Sequence, residues 1–304
     1  MQSWSLERKI EVTQTRIIEW YEKFKGNTYV SFSGGKDSTV LLDLARRIYP
    51  DIEAVFIDTG LEYPEVRQFA LSQENIIKIK PEMNFKKVIE KYGYPLISKE
   101  VSRDISAARN KPEGKTAQKF IRNSDYHKKY GDAWLLEKWT PLKDSNIPIS
   151  NQCCNVMKKL PAKKYGKASG KVPIIATMAC ESRLRKKEWL NNGCNAFDKN
   201  YPSSQPMSFW TEQDVLLYII RYEIQYATVY GDILEDKKGK LYTTGCDRTG
   251  CVFCAYGCQC EKEPNRFQRL KQTHPKLWEY CMRSVSEGGL GMKEVLEYIG
   301  VKYE

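Results

Sequence analysis

The run Ser33-Gly-Gly-Lys-Asp-Ser38 limits what this chain can become more than any other feature. It lies between an apolar run, Thr28-Tyr-Val-Ser-Phe32, and a stretch from Thr39 to Ile48 in which Val40, Leu41, Leu44 and Ile48 recur at helical spacing. A strand, a tight glycine turn and a helix are therefore expected in that order. Paired glycines let a backbone turn sharply and approach a ligand closely. The helix that follows offers unpaired N–H groups and the positive end of its dipole to an anion. Ser33 and Ser38 add hydroxyls and Lys36 a point charge, so the loop is expected to hold phosphate. Its spacing is neither Gly-x4-Gly-Lys-Ser/Thr nor Gly-x-Gly-x-x-Gly.

The rest of the pattern places this loop in an α/β fold. Leu6, Ile10, Ile17, Ile18, Tyr21 and Phe24 mark a helix over residues 5–25, and Tyr63 to Leu71 a further one. Glu53–Ile57, Ile76–Ile79 and Val172–Met178 read as strands. Alternating strands and helices predict a parallel sheet flanked by helices. Residues 95–150 are polar and read as an irregular insertion. From about Trp210 the chain reads as a helix, a Cys-rich loop and further helices. The expected division is an α/β domain over 1–205 and a smaller Cys-rich, mainly helical region over 206–304. With 41% hydrophobic residues the chain has enough apolar material for a core. No 18-residue apolar run is present, so no membrane span is expected. The charged start, Met1 to Lys9, is unlike a signal peptide, and a cytoplasmic location follows as an expectation.

Charge narrows the partners. Lys plus Arg is 49 against 38 acids, a net +11. Between Lys158 and Lys187 ten basic residues face a single acid, Glu181. A second block, Lys99 to Lys129, holds nine basic residues against four acids. Such blocks favour anionic partners: nucleotides, phosphate or sulfate esters, or nucleic acid. The chain has ten Cys and two His. In a reducing compartment such cysteines point to metal or redox chemistry. Cys153-Cys154 and, downstream, Cys251-x-x-Cys254 are the spacings that matter. A zinc ribbon needs a second Cys-x-x-Cys, which is absent, so a thiolate-held iron–sulfur cluster is favoured over zinc or a free redox pair. Cys180, Cys194 and Cys281 read as buried small residues.

Taken together, these motifs resemble the PP-loop ATP pyrophosphatase superfamily, also called adenine nucleotide α-hydrolase-like. Within it the chain is similar to the phosphoadenylylsulfate (PAPS) reductase family, with its adenylylsulfate reductases and ATP-using relatives. The likeness covers roughly residues 28 to 260. It rests on Ser33–Ser38, on Asp58-Thr-Gly60 ahead of Tyr63-Pro-Glu65, on Ala179-Cys-Glu-Ser-Arg-Leu-Arg185, and on Pro206-Met-Ser-Phe-Trp-Thr-Glu-Gln-Asp-Val215. In the last segment Thr211 reads as a helix N-cap and Asp214 as its capping-box partner. Met178 and Cys180 depart from the Gly-x-Arg that often precedes Glu-Ser in that group.

The resemblance implies a Rossmann-like PP-loop fold. It implies nucleotide contacts from Ser33, Gly34, Gly35, Lys36, Asp37, Ser38, Asp58, Thr59, Gly60, Glu181, Ser182, Arg183 and Arg185, with Lys36, Asp37 and Asp58 catalytic. Asp37 or Asp58 would help to hold Mg²⁺. The paired and spaced cysteines resemble those of iron–sulfur adenylylsulfate reductases, which implies a four-iron four-sulfur cluster on Cys153, Cys154, Cys251 and Cys254. Cys246, Cys258 and Cys260 are nearby rivals. Arg248 is a further candidate anion contact. The run Arg248-Thr-Gly-Cys-Val-Phe-Cys254 also resembles the cysteine segment of the ATP pyrophosphatase component of DNA phosphorothioation.

Two reactions compete. One is ATP-dependent and AMP-forming, with pyrophosphate release, and serves sulfur transfer to a nucleic acid or sulfur carrier, aided by a cysteine desulfurase or a reductant. The other reduces adenylylsulfate or phosphoadenylylsulfate and releases sulfite. Those reductases carry a nucleophilic Cys in a Glu-Cys-Gly-Leu-His segment that has no counterpart after Cys281, and the full loop with Lys36 suits pyrophosphate, so the first is expected. A third expectation is a non-catalytic nucleic-acid-binding component.

Overall fold

The computed structural model describes residues 1–121, 123–130 and 138–304. The parts of the expected insertion at 122 and 131–137 lie outside the described residues. The described strands are β1 (Thr28–Phe32), β2 (Ala54–Ile57), β3 (Ile76–Ile79), β4 (Leu96–Ile97), β5 (Val172–Ile175), β6 (Asn195–Ala196), β7 (Ser203–Ser204), β8 (Ile233–Glu235), β9 (Leu241–Thr243) and β10 (Ala255–Tyr256). Six of them form one sheet in the order β3-β2-β1-β5-β7-β6. All neighbours run parallel except β6 and β7. The helices α1 (Leu6–Lys23), α2 (Lys36–Arg46) and α3 (Pro64–Ser72), together with Glu212–Arg221, flank this sheet. The expected α/β architecture is present. A central parallel strand is covered on both faces and must be apolar on both. β1 meets that demand, with Tyr29, Val30 and Phe32 all buried.

The chain forms two compact units that are interleaved rather than consecutive. The first comprises Met1–Asp58, Glu62–Lys80 and Pro161–Gly250, and the second Thr59–Leu61, Pro81–Leu160 and Cys251–Glu304. A single division at residue 205 does not describe this. The reason is apolar burial past that point. Met207, Phe209, Trp210, Val215 and Tyr218 sit in the same core as Val30, Phe32, Leu41 and Phe56.

Nor is the 95–150 segment simply irregular. It opens with β4 and a helix, Lys99–Asn110, whose N-cap Ser98 accepts the Val101 N–H at 3.1 Å. β4 pairs in parallel with β10, joining the two long stretches of the second unit. Among the described residues no helix is long and apolar enough to cross a membrane.

One polar cluster fastens α1 within the first unit. The expected capping box forms: Thr211 Oγ1 accepts the Asp214 N–H, and Asp214 Oδ2 accepts the Thr211 N–H at 2.7 Å. The same carboxylate takes the Lys9 ammonium at 2.6 Å, and that side chain is only 2% exposed. Lys9 also donates to Gln2 O at 2.7 Å, while Trp210 Nε1 donates to Thr13 Oγ1 at 2.8 Å.

Removing one partner of a buried ion pair leaves the other charge uncompensated. Asp214→Ala is therefore expected to destabilise the first unit by about 3–5 kcal/mol, against about 1 kcal/mol for the cap alone in Thr211→Ala. The urea midpoint of the first unfolding transition measures both; equal small shifts would contradict the buried role of Lys9.

Candidate functional site

The Ser33–Ser38 loop joins β1 to α2 in the first unit. Gly34 has φ +72°, and a Cβ there would stand 2.7 Å from Val66 O, so both the turn and the close approach require glycine. Ser33 Oγ and Ser38 Oγ lie 3.0 Å apart, and Ser38 Oγ donates to Gly35 O at 2.9 Å. The N-cap of α2 is Gly35, which supplies no side-chain hydrogen bond to the first turn. Instead the Lys36 N–H donates to Tyr230 Oη at 3.1 Å, and that hydroxyl pairs with Thr249 Oγ1 at 2.6 Å. A hydroxyl thus stands where the helix N-terminus would attract an anion.

Lys36 is almost wholly buried. Its ammonium donates to Asp247 O at 2.7 Å, pairs with Glu212 at 3.2 Å and lies 4.0 Å from Asp37 Oδ1. It also sits 5.3 Å over the Tyr230 ring. Asp37 is partly exposed, yet its Oδ1 is shut off from water and has no hydrogen bond. Burial pushes the Asp37 carboxyl up, against the pull of Lys36, Arg248 and Arg185.

Two guanidinium groups complete the surroundings. Glu181 holds both Arg185 and Arg248, the latter at 3.4 Å, and also accepts the Met178 N–H at 2.8 Å. Burial and the neighbouring Arg248 lower the Arg185 pKa. Thus Ser33–Ser38, Glu181 and Arg185 come together as a set.

The other residues named from the sequence have different surroundings. Ser182 caps the helix Arg183–Asn192 through the Arg185 N–H, and Arg183 is exposed. Asp58 directly follows β2, and both its oxygens are held by Arg67 at 2.8 Å. That hydrogen-bonded guanidinium keeps the Asp58 carboxyl below its usual range. Thr59 and Gly60 pack with the second unit, where Thr59 Oγ1 accepts the Leu61 N–H at 3.1 Å. Cys180 is exposed rather than buried, with Sγ 3.5 Å from Trp210 O and electrostatically near Arg248 and Asp37. Sequence reasoning missed Glu212, Tyr230 and Thr249. Glu212 hid inside a segment read only as a capping box, and the other two have no local signature.

The cysteines belong to the second unit. Cys153 and Cys154 lead into a π-helical turn, Asn155–Lys159, a distortion frequent at functional sites. Val252 and Phe253 are buried and anchor the Cys251–Cys254 loop, with the Val252 N–H donating to Leu61 O at 2.8 Å. Burial pushes the Cys153 thiol far up, and Cys251, Cys154 and Cys254 push it further. The Cys254 thiol is pushed up to about 11 by burial, then by Cys251 and Cys154. Cys153 and Cys254 therefore both feel Cys251 and Cys154.

Of the rivals, Cys246 packs in the first unit and Cys260 is exposed. Cys258 is buried, and its thiol donates to Ala255 O at 3.1 Å. Among the described residues no three His, Cys, Asp or Glu side chains are already arranged to hold a metal ion. The donor set is nonetheless soft and all thiol, and the Arg266 guanidinium, held by Glu261, donates to Cys254 O at 2.8 Å. Tyr256 Oη is buried nearby without a hydrogen bond. Clustered thiols and an unanswered donor fit an iron–sulfur group.

Comparison with known proteins follows this geometry. Residues 27–256 match the family described as the phosphoadenosine phosphosulfate reductase domain. An uncharacterised protein of Methanocaldococcus jannaschii is 26% identical over 86% of this chain and 42% of its own length. The chain spans about half the length of the curated relatives that it matches first. An adenosine 5'-phosphosulfate reductase of Staphylococcus epidermidis is 26% identical over 78% of this chain and 74% of its own. A solved phosphoadenylyl-sulfate reductase from Candida auris, a phosphate complex, aligns with a TM-score of 0.40 and 16% identity, over 78% of this chain and 98% of that one.

The thiols differ enough to be told apart. In metal-free protein at pH 8, iodoacetamide is expected to label exposed Cys260 fast and Cys153, Cys254 and Cys281 slowly, since burial raises the last three. Peptide mass mapping over time reads this order, and fast labelling of Cys153 would contradict its burial.

Proposed function

The chain belongs to the phosphoadenosine phosphosulfate reductase domain family, and from that premise we propose that its first unit binds ATP at Ser33–Ser38 and releases pyrophosphate, adenylating an acceptor for sulfur transfer. One observation carries this reading. Buried Lys36 lies beside an Asp37 oxygen that is shielded from water and has no hydrogen bond. A pyrophosphate leaving group needs fixed cations, and a carboxylate oxygen without a hydrogen bond suits Mg²⁺, a hard cation usually bound through one or two carboxylates plus phosphates. Mg²⁺, when bound, would neutralise charge on the departing phosphates.

The protein's own groups would do the rest. Lys36 holds the leaving phosphates after giving up Asp247 O. Ser33, Ser38 and the first turn of α2 orient the phosphate oxygens, with Gly34 and Gly35 letting the backbone come close. Arg185 and Arg248, steadied by Glu181, face the developing negative charge. Asp58, clamped by Arg67, positions the end of β2 with Thr59 and Gly60. Ser182 and Arg183 carry the rim into the following helix.

In the second unit Cys153, Cys154, Cys251 and Cys254 would hold a four-iron four-sulfur cluster, which would supply electron transfer or sulfur handling. The basic block between Lys158 and Lys187 supports an anionic acceptor, a nucleic acid or a sulfur carrier, with a cysteine desulfurase or reductant upstream. A second reading, reduction of adenylylsulfate to sulfite, is favoured by the name of the Staphylococcus epidermidis relative.

Anaerobic protein incubated with ATP, adenylylsulfate or phosphoadenylylsulfate decides between them. AMP and pyrophosphate from ATP are expected. Sulfite from either sulfate would establish the second reading, and salt-sensitive nucleic-acid binding with no turnover would leave a binding component. Lys36→Ala is expected to lower turnover about 100- to 1,000-fold, and unchanged turnover would refute the loop's role. Cys154→Ser and Cys254→Ser should lose bound iron, whereas Cys194→Ser should retain it.

A further inference from the structure

Tyr256 follows the Cys251–Cys254 loop by two residues, in β10. Its backbone is fixed by the parallel ladder, in which Tyr256 lies opposite Ile97 and Ala255 opposite Leu96. Its hydroxyl is shut off from water and has no partner with the distance and angle of a full hydrogen bond, the pull of Ser102 being the smallest of the influences on it. Leaving a buried hydroxyl unanswered is costly, a cost that Phe at this position would avoid. Ser102, a polar neighbour, is already engaged: its hydroxyl donates to Leu96 O at 2.7 Å and accepts the Leu96 N–H at 3.0 Å. The remaining groups within electrostatic reach of the Tyr256 hydroxyl are the thiols of Cys154, Cys254 and Cys153.

We propose that the Tyr256 hydroxyl donates a hydrogen bond to a sulfur of the cluster held by Cys153, Cys154, Cys251 and Cys254, and that this bond raises the cluster's reduction potential and slows its loss. The inference rests on the cluster reading above. Its physics is general. A donor aimed at a sulfur stabilises the more negative, reduced form, and hydrogen bonds to sulfur are among the levers that set such potentials. The ladder holds the tyrosine in place whether or not sulfur is present, so the donor is preorganised.

Tyr256→Phe tests this with readouts independent of turnover. In metal-free protein the variant gives up no hydrogen bond, so its urea midpoint is expected to equal or exceed the wild type's. In anaerobically iron-loaded protein its midpoint potential is expected to be more negative. A tenfold change in the one-electron equilibrium corresponds to about 59 mV. Iron release to a chelator should be faster, and the electron paramagnetic resonance signal of the reduced cluster should change.

A fully loaded variant with the wild-type potential and release rate overturns this inference and leaves the cluster standing. A metal-free variant that is clearly destabilised also overturns it, because the hydroxyl then has a partner in the protein itself. Wild-type protein that takes up no iron overturns both the cluster reading and this inference.

Discussion

An ammonium group withdrawn from water has to be answered, and the answer given to Lys36 organises the first unit. Full desolvation of such a charge costs several kcal/mol even after relaxation. The compensating groups come from far along the chain: Glu212 opens one helix, Tyr230 ends a short turn, and Asp247 contributes only a carbonyl. None of them can be in place unless residues 161–250 return to the sheet that β1 began. The Ser33–Ser38 loop is therefore a product of the whole unit, although its sequence occupies six residues.

Local features were legible because their causes are local. β1, the glycine turn and the start of α2 follow from hydrophobic spacing and from the backbone freedom of Gly34. The capping box at Thr211 and Asp214 follows from a short-range hydrogen-bond pattern. What escaped was long-range. Asp58 looked like a metal ligand by position, yet Arg67 occupies both its oxygens, and no pattern in the sequence joins those two residues. Cys180 was read as buried because thiols usually are, but its place on the Glu181–Arg185 loop leaves it exposed. The polar stretch after residue 95 contains an amphipathic helix whose buried positions, Val101, Ile105 and Ala108, are spaced at helical intervals but outnumbered by charges.

The cysteines show the same division. Cys251 and Cys254 are a pair on spacing alone, and Val252 and Phe253 between them serve as the apolar pegs that hold the loop. In the sequence only the family resemblance joins Cys153 and Cys154 to them; in the second unit the Cys153 thiol lies within electrostatic reach of both Cys251 and Cys254. The rivals have different surroundings: Cys260 faces solvent, Cys258 donates its thiol proton to Ala255 O, and Cys246 packs in the first unit. Tyr256 gave no signal in the sequence, since an aromatic in a short strand reads as ordinary core.

The interleaving of the two units also fixes an order of events at the ribosome. The apolar face of β1 is made within the first 32 residues, but the helix Glu212–Arg221 that helps to cover its core comes far later. At about 5–20 residues per second, the nascent sheet waits about 10–40 s for that cover. The second unit is completed later still, because Cys251 and Cys254 follow the helix Glu212–Arg221 in the chain, although Cys153 and Cys154 emerge well before it. A metal held by all four proposed ligands would come only after Cys254 is made, when the last residue of the first unit, Gly250, is already present.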